Sequence, residues 1–512
     1  MKLNQPDGGG DVTNRAAPLE MSPEEFRRLG HDLIDRLAEF LASLPDRPVT
    51  PAEPPELVRG LLGDGGLPEM GTDPGRLLEE AASLLFNHSL FNGHPRFWGY
   101  ITSSAAPIGS LADLLASAVN PNVGGWWISP IASEIEAQTV RWLAELIGYP
   151  TSAGGLLVSG GNMANFVGFW AARKAKTPWD IQSQGIAAQP DRRLRVYTSR
   201  ETHTWIQKAA DLAGLGTDAV RWIATDRSLR MEMEALRAQI QEDRQNGDHP
   251  LLVVGTAGSV STGAVDPLPE LASLCRQEGI WFHVDGAYGA AAAGLPDAPP
   301  DLKGLSEADS VAMDPHKWLY APLEAGCVLV RERSLLRETF SYHPPYYPEK
   351  EEAEGEQPIM YFEHGPQNSR GFRALKVWLG LRQVGREGYL RMISEDIELT
   401  RLLYRLVESD PDLEAWTQGL SIATFRYLPR DLRTRAEEAR EYLDELNREV
   451  LARLQKSGEA YISHAVIGQT FVLRPCIVNF RTTRKDIEAL PGLVRRLGKE
   501  ADASFRPAAL RS

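Results

Sequence analysis

The sequence has little of what membrane and secreted proteins need. It contains no apolar run of the about 18 residues that span a bilayer, and its polar, glycine-rich start has no apolar signal segment. Its three cysteines are far apart and lack metal-type spacing, which favours reduced thiols over a disulfide framework. We therefore expect a cytoplasmic protein with no membrane partner. The cysteines are Cys275, Cys327 and Cys476.

Positive charge is also scarce, because 55 Lys and Arg residues stand against 69 Asp and Glu residues and the formal net charge is −14. No nucleic-acid partner is expected, since binding nucleic acid requires a basic surface stripe. The nucleophile motif Gly-x-Ser-x-Gly, the zinc motif His-Glu-x-x-His and paired cysteines are missing. These absences disfavour a serine hydrolase and a metalloenzyme, and no metal site is predicted.

What the chain does contain is an alternation of short β-rich runs with helical patterns from about residue 130 to about residue 340. Such an alternation predicts an α/β fold with a mostly parallel sheet and helices on both of its faces. Ligands bind these sheets at the carboxyl ends of the strands. The predicted strands are 195–198, 220–224, 251–256, 280–284 and 311–313, and the predicted helices are 131–147, 163–176, 205–212, 231–245 and 268–278.

A chain of 512 residues is too long for one core, so several structural units are expected. We predict a disordered start (1–20), a helical segment (21–100) whose first helix is capped by Ser22, a large domain (101–385) and a smaller α+β domain (386–512). The helical segment is too thin for a core of its own. We therefore expect it to pack on something else, such as a second subunit.

Lys317 is the residue around which the chain is organised. It follows the end of a predicted strand, and apolar and aromatic residues flank it within Val311–Tyr320. Burial disfavours the charged form of an amine, and a neutral amine is a nucleophile toward carbonyl groups. The alternative is a lysine whose stem packs while its ammonium group reaches water.

Further polar residues follow other strand ends. The glycines of Ser159–Asn165 allow backbone N–H groups to approach an anion at a helix N-terminus, unless this segment is only a capped turn. His203 opens a helix next to Trp205 and would either stack on a ring or cap the helix. Asp285 ends an apolar strand, where a carboxylate needs a positive partner unless it caps the next turn. Together with a nucleophilic lysine, these groups are what pyridoxal 5'-phosphate requires.

Three motifs carry a family resemblance. Asp314-Pro-His-Lys-Trp318, His283-Val-Asp-Gly-Ala-Tyr288 and Phe372-Arg-Ala-Leu-Lys-Val-Trp378 resemble those of the group II pyridoxal-phosphate-dependent amino acid decarboxylases, most closely the aromatic-L-amino-acid decarboxylase branch. The resemblance implies a fold-type I transferase-like architecture, with a mainly parallel seven-stranded sheet in a large domain and a small α+β C-terminal domain. It also implies a homodimer, a lyase activity on an amino acid as the small-molecule substrate, and pyridoxal 5'-phosphate as the cofactor.

The resemblance implies roles for particular residues as well. Lys317 would form the Schiff base with the cofactor, Asp285 would pair with the ring nitrogen, and His203 would stack on the ring face opposite Ala287. The implied phosphate contacts are Gly161, Asn162 and His316, with Asp314 at the position where animal relatives have asparagine.

A mobile loop is predicted at 341–370, because this long segment breaks the alternating pattern. In the family that the chain resembles, a loop tyrosine is the acid that protonates the substrate Cα. A count back from Phe372 favours Tyr361, and Tyr346 and Tyr347 are alternatives in the same loop. Phenylalanine at this position accompanies aldehyde formation in some relatives.

The predicted reaction is the decarboxylation of an aromatic L-amino acid, such as tryptophan, tyrosine, phenylalanine or dihydroxyphenylalanine, to an amine. Loop aromatics favour an apolar substrate, although core or interface packing would also explain them. An acidic substrate (glutamate or aspartate) and an aldehyde-forming reaction are the alternatives within the family. A non-catalytic paralogue is disfavoured, because both Lys317 and Asp285 are present. The loop aromatics are Phe97, Trp98, Tyr100, Trp126 and Trp127.

Overall fold

The chain divides into two compact units, one up to Leu90 and the other from Phe91 onward. The computed structural model describes residues 17–342 and 358–511. The predicted boundary between a large domain and a small domain near residue 385 stays a prediction.

The first unit is helical. Its first helix begins as predicted, because the Ser22 side chain accepts a hydrogen bond from the Glu25 backbone N–H at 3.1 Å. Asp73 caps the third helix in the same way. The second helix, which was not predicted from the sequence, begins at Pro55 with Glu56 in its first turn, as is typical of a helix start. The helices are α1 (Pro23–Ser43), α2 (Pro55–Leu62) and α3 (Pro74–His88).

The second unit contains two sheets and twelve helices within the described residues. Its strands are β1 (Phe97–Trp98), β2 (Gly154–Val158), β3 (Leu194–Ser199), β4 (Val220–Ile223), β5 (His249–Thr256), β6 (Trp281–Asp285), β7 (Ser310–Met313), β8 (Gly326–Val330), β9 (Leu413–Gly419), β10 (Ile422–Tyr427), β11 (Tyr461–Ile467) and β12 (Thr470–Arg474). Its helices are α4 (Pro107–Val119), α5 (Pro130–Leu146), α6 (Gly161–Lys176), α7 (Ile181–Gln184), α8 (Trp205–Leu212), α9 (Met233–Gln245), α10 (Leu268–Glu278), α11 (Pro315–Trp318), α12 (Ser334–Phe340), α13 (Ala374–Ser409), α14 (Arg440–Ser457) and α15 (Arg484–Phe505).

The larger sheet has seven strands in the order β2-β8-β7-β6-β5-β3-β4. β8 runs antiparallel to β2 and β7, and the remaining neighbours pair in parallel. The predicted α/β fold with a mainly parallel seven-stranded sheet is therefore confirmed. All five predicted strands belong to this sheet, and β2 and β8 complete it.

Both faces of this sheet are covered, which explains why its strands are nearly continuous apolar runs. In β5, Val253 belongs to the hydrophobic core on one face, whereas Leu252 and Val254 belong to the core on the other. Helices α5 and α10 contribute to the first core, and α6 and α8 contribute to the second.

The smaller sheet has five strands in the order β1-β11-β12-β10-β9. It packs with α14, α15 and the second half of α13 around a third hydrophobic core. α13 is interrupted at Gly385, whose φ of 70° lies outside the helical region. This α+β assembly confirms the predicted smaller C-terminal fold.

The predicted loop 341–370 is only partly described. Residues 343–357, which include Tyr346 and Tyr347, lie outside the described residues. After them, the Phe362 N–H donates to the Gly124 carbonyl at 2.8 Å, and buried Arg370 forms an ion pair with buried Glu136. The part of the predicted loop from residue 358 therefore packs against the core, and the mobility of the loop stays a prediction.

None of the helices within the described ranges 17–342 and 358–511 is long and apolar enough to cross a membrane.

Candidate active site

A cavity of about 480 Å³ opens where β2, β3, β5, β6 and β7 end. Its volume is in the range of about 300–1,000 Å³ that is usual for small-molecule sites. The strand ends therefore converge, as expected for a parallel sheet. Eight predicted site residues line the cavity: Gly161, Asn162, His203, Asp285, Ala287, Asp314, His316 and Lys317.

Lys317 reaches the cavity from α11, the single helical turn that follows β7. Its Nζ lies 3.1 Å from Oδ2 of Asp314, and its side chain keeps 22% of its surface exposed. The Asp314 side chain is buried, and its Oδ1 has no hydrogen-bond partner within the described part of the chain. The lysine is thus held at the cavity by a buried counter-charge, with room for a ligand beside it.

The N-terminus of α6 lines the cavity beside Asp314. Its N-cap residue, Gly160, offers no side-chain cap, so the first backbone N–H groups of the helix remain available to an anion. A Cβ added to Gly161 would lie 2.6 Å from Asp314 Oδ2 and 3.0 Å from the Ala287 Cβ. Glycine is therefore required at 161, because any side chain would fill the space beside these two residues.

Asp285 is buried at the end of β6, where both of its carboxylate oxygens accept hydrogen bonds. Its Oδ2 accepts from the Trp205 indole N–H at 2.7 Å, and its Oδ1 accepts from the Ala287 backbone N–H at 3.2 Å. These donors fix the orientation of the carboxylate at the edge of the cavity.

Burial favours the neutral form of both histidines of the cavity. Burial lowers the pKa of His203 and of His316 below the usual value for histidine, although nearby carboxylates oppose this. The backbone N–H of Trp205 donates to Nδ1 of His203 at 3.3 Å, and that of Ala325 donates to Nδ1 of His316 at 3.2 Å. Nε2 is therefore the protonated nitrogen in each ring.

These residues fit pyridoxal phosphate. The cradle at Gly161 suits a phosphate, Lys317 suits the aldehyde group, and Asp285 is a fixed carboxylate for the ring nitrogen. Within the described residues, no group of three or more His, Cys, Asp or Glu side chains is placed to hold a metal ion.

Tyr361 is the predicted site residue that the structure places outside the cavity. Its side chain is 1% exposed and packs in a hydrophobic core, with the Arg370 guanidinium 4.7 Å from the ring centre. It does not line the cavity. Burial raises the pKa of Tyr361 well above the usual tyrosine value. The predicted placement of Tyr361 at the reacting atoms therefore needs correction, because a count along the chain does not reveal which way a side chain turns.

The loop aromatics are also divided by the structure. Tyr100 lines the cavity, whereas Phe97 and Trp98 are buried in the fold and the exposed Trp127 lies outside the cavity. Trp126 is likewise absent from the lining. Core packing explains Phe97 and Trp98, as the alternative interpretation allowed.

Arg474 is a cavity residue that the sequence argument misses. It ends β12 in the smaller sheet, is 4% exposed and donates from Nη1 to the Tyr100 carbonyl at 2.7 Å. Its Nε has no hydrogen-bond partner within the described part of the chain. The sequence pattern could have identified Arg474, because it is a charged residue at the end of an apolar strand, as Asp285 is.

Comparison with known proteins agrees with this geometry. Residues 60–427 match the model of the pyridoxal-dependent decarboxylase conserved domain. The aromatic-L-amino-acid decarboxylase of Bacillus atrophaeus is 35% identical over 95% of this chain and 98% of its own length. A phenylacetaldehyde synthase from a Rosa hybrid cultivar is 29% identical over 93% of this chain and 94% of its own length.

Solved structures show the same similarity. The crystal structure of Oryza sativa TDC with PLP and tryptamine superposes with a TM-score of 0.87 at 27% identity. The superposition covers 95% of this chain and 99% of that one. The likeness thus extends over both sheets as well as the cavity.

Proposed function

Because the chain belongs to the pyridoxal-dependent decarboxylase family, we propose that it removes carbon dioxide from an aromatic L-amino acid and releases the amine. The enzyme is a carboxy-lyase, and its cofactor is pyridoxal 5'-phosphate. One observation carries the proposal for the site: a single cavity brings together Lys317, Asp285 and the uncapped N-terminus of α6.

The cofactor site is assigned from charge and shape. When bound, pyridoxal phosphate supplies a ring that accepts the electron pair left at Cα as carbon dioxide departs. Lys317 would hold its aldehyde group, and the backbone at Gly161 and Asn162, with His316, would bind its phosphate. Asp285 would accept a hydrogen bond from the ring nitrogen and hold the proton there, so that the ring carries a positive charge.

The remaining cavity residues would orient the reactants. His203 and Ala287 would contact opposite faces of the ring, and the Nε2–H of His203 would be available to the substrate carboxylate. Asp314 would keep the free Lys317 amine at the cavity and balance its charge. Arg474 would attract the carboxylate of an incoming amino acid, because it is a buried cation whose Nε–H has no partner among the described residues.

The proton donor to Cα would be Tyr346 or Tyr347. Both belong to the predicted loop and lie outside the described residues, so the assignment depends on the sequence alone. Tyr361 is set aside for this role because it is buried away from the cavity.

An aromatic substrate is supported by the apolar surface of the cavity. Tyr100, Ile101, Met163 and Val260 line it and would contact an aromatic side chain. The Bacillus atrophaeus relative carries the name aromatic-L-amino-acid decarboxylase, and the Oryza sativa structure contains tryptamine.

Two other outcomes have support from particular observations. Arg474 would favour an acidic amino acid if it paired with a side-chain carboxylate. Aldehyde formation is supported by the similarity to a phenylacetaldehyde synthase.

The test is a panel of L-amino acids assayed for carbon dioxide, amine and aldehyde with the purified holoenzyme. Tryptophan, tyrosine, phenylalanine and dihydroxyphenylalanine should give carbon dioxide and amine in equal amounts. Glutamate and aspartate should give little of either. Preferential turnover of glutamate or aspartate would show that the substrate is an acidic amino acid. Formation of aldehyde, with less amine than carbon dioxide, would indicate the oxidative reaction.

We also propose that the enzyme is a cytoplasmic homodimer. In the second unit, helix α4 exposes about half or more of each of four large apolar residues that helical spacing places on one face, the α4 patch, and an exposed apolar patch marks an interaction surface. The first unit also exposes large apolar residues such as Leu62 and Leu85. All three cysteines are buried and unpaired, which suits a reducing compartment. The α4 patch consists of Leu111, Leu114, Leu115 and Val119.

A further inference from the structure

Trp205 lies directly behind the cavity, as the first residue of α8. Its side chain is fully buried, and it belongs to the hydrophobic core that covers one face of the larger sheet. It does not line the cavity, yet its indole N–H donates a 2.7 Å hydrogen bond to Oδ2 of Asp285. A residue with no access to a ligand thus touches the carboxylate assigned to the cofactor.

The indole packs against a histidine ring that is itself fixed by hydrogen bonds. Its ring packs edge-on against the His283 imidazole, with 5.7 Å between ring centres and planes 76° apart. Both His283 ring nitrogens are hydrogen bonded, Nδ1 to Ser310 Oγ and Nε2 to Asn165 Oδ1, each at 2.7 Å. Burial lowers the pKa of His283 to about 4, so this ring is neutral. The indole N–H therefore points at Asp285 from a fixed frame.

The same residue also reaches His203, because its backbone N–H donates to Nδ1 of that ring at 3.3 Å. Trp205 is thus hydrogen bonded to two of the three side chains that are assigned to the cofactor ring, His203 and Asp285. Its backbone bond would persist with any residue except proline at 205, whereas the bond to Asp285 requires a side-chain donor.

We propose that Trp205 is a positioning residue, whose indole N–H fixes the Asp285 carboxylate in the orientation and ionised form that the ring nitrogen of the cofactor requires. This inference rests on the proposed assignment of Asp285 to that nitrogen. A donor bound to a carboxylate stabilises its anion. Without the indole N–H, a buried oxygen of Asp285 loses its donor, and Asp285 competes more strongly with the ring nitrogen for the proton.

The test compares Trp205→Phe with Trp179→Phe. Trp179 is a matched control, because it packs against the same core and donates its indole N–H to the Gly185 carbonyl at 2.9 Å. The measurements are the cofactor dissociation constant of the apoenzyme and the pH dependence of the visible absorption of the holoenzyme. Hydrogen bonds to charged groups imply that Trp205→Phe weakens cofactor binding about 10-fold or more and shifts the absorption titration. Trp179→Phe should stay within about twofold of the wild type.

A double-mutant cycle separates positioning from packing. With Asp285→Ala already present, Trp205→Phe should weaken cofactor binding less than about twofold further, because the indole acts through the carboxylate. The inference would be overturned if Trp205→Phe weakened cofactor binding equally in wild-type protein and in Asp285→Ala. It would also be overturned if Asp285→Ala bound cofactor poorly while Trp205→Phe kept the wild-type affinity and absorption. If Asp285→Ala binds cofactor normally, the assignment of Asp285 itself fails, and the inference fails with it.

A second measurement needs no substitution at Trp205. In protein labelled with 15N-indole tryptophan, Asp285→Asn should move one solvent-protected indole N–H resonance and leave the other indole resonances in place. Unchanged indole resonances would contradict the hydrogen bond, whether or not Trp205→Phe folds.

Discussion

Lys317 and Asp314 form the charged centre of the cavity. Their ion pair of 3.1 Å is mostly buried, and the carboxylate has little other support, since its Oδ1 has no partner within the described part of the chain. A buried carboxylate that loses its cation destabilises the fold by several kcal/mol, on the order of 3–5. Substitutions at Lys317 therefore disturb stability as well as chemistry, and each needs an unfolding measurement beside the assay.

Substitutions of the loop tyrosines test which residue donates the proton to Cα. Tyr346→Phe or Tyr347→Phe should lower amine formation at least about 100-fold, because general acid catalysis contributes about 10²–10⁴ in rate. Tyr361→Phe should leave amine formation within a fewfold of the wild type, because Tyr361 is outside the cavity. Single-turnover assays of amine and aldehyde would measure this. A large loss in Tyr361→Phe at unchanged stability would restore Tyr361 as the acid.

The site residues differ in how far sequence could reveal them. His203, Asp285 and Lys317 were predictable, because each follows a strand of one parallel sheet and parallel strands bring their carboxyl ends together. Arg474 enters the cavity from the other sheet, and Trp205 acts from behind it. Contacts of this kind depend on packing between distant segments, which periodicity does not encode.

At the scale of elements, α13 ties the lysine segment to the smaller sheet. Asp396 on this helix is buried, and its Oδ2 accepts hydrogen bonds from the Trp318 indole at 2.8 Å and the Tyr320 hydroxyl at 2.7 Å. Both donors come within three residues of Lys317 in the chain. Burial raises the pKa of Asp396 to about 7, against the lowering effect of these donors.

Asp396 should therefore make stability depend on pH. Its pKa is raised on folding, so it contributes to the free energy of unfolding through its neutral form. This contribution is fully present below the unfolded-state pKa of about 4 and is lost as pH rises through about 7. Asp396→Asn cannot titrate, so the free energy of unfolding of the variant relative to the wild type should rise by up to about 3 kcal/mol from pH 5 to pH 8. Urea unfolding at several pH values would measure this difference.

Glu398→Gln on the same helix is the control, since Glu398 is exposed and its pair with Arg401 lies at the surface. The free energy of unfolding of Glu398→Gln should differ from that of the wild type by nearly the same amount at every pH. If the free energy of unfolding of Asp396→Asn also differed from the wild type by the same amount at every pH, the coupling between the Asp396 carboxyl group and folding would be refuted.

The elements themselves were predictable to different degrees. Five strands of the larger sheet were recognised because helices separate them along the chain. β2 and β8 were missed as strands, since β8 inverts the parallel order and β2 pairs only with β8. Sequence patterns mark apolar runs but do not reveal which run closes the edge of a sheet.

At the scale of the whole molecule, the α4 patch gives a prediction about assembly. Leu114→Glu should convert the proposed dimer to monomers, because it places a charge in the centre of an apolar interface. Sedimentation velocity would measure the change. Leu212→Glu is a matched control, since Leu212 is 68% exposed on α8 and outside the patch, and this variant should sediment like the wild type. A monomeric wild type, or a Leu114→Glu variant with unchanged mass, would refute the proposed interface.

The measurement that most directly tests the account is borohydride reduction of the holoenzyme, followed by mass spectrometry of its peptides. Lys317 lies at the cavity beside Asp314 and within the lining that includes Asp285. We expect one pyridoxyl adduct per chain, on Lys317, with neither adduct nor carbon dioxide release in a folded Lys317→Ala variant. An adduct on another lysine, or full carbon dioxide release without Lys317, would contradict it.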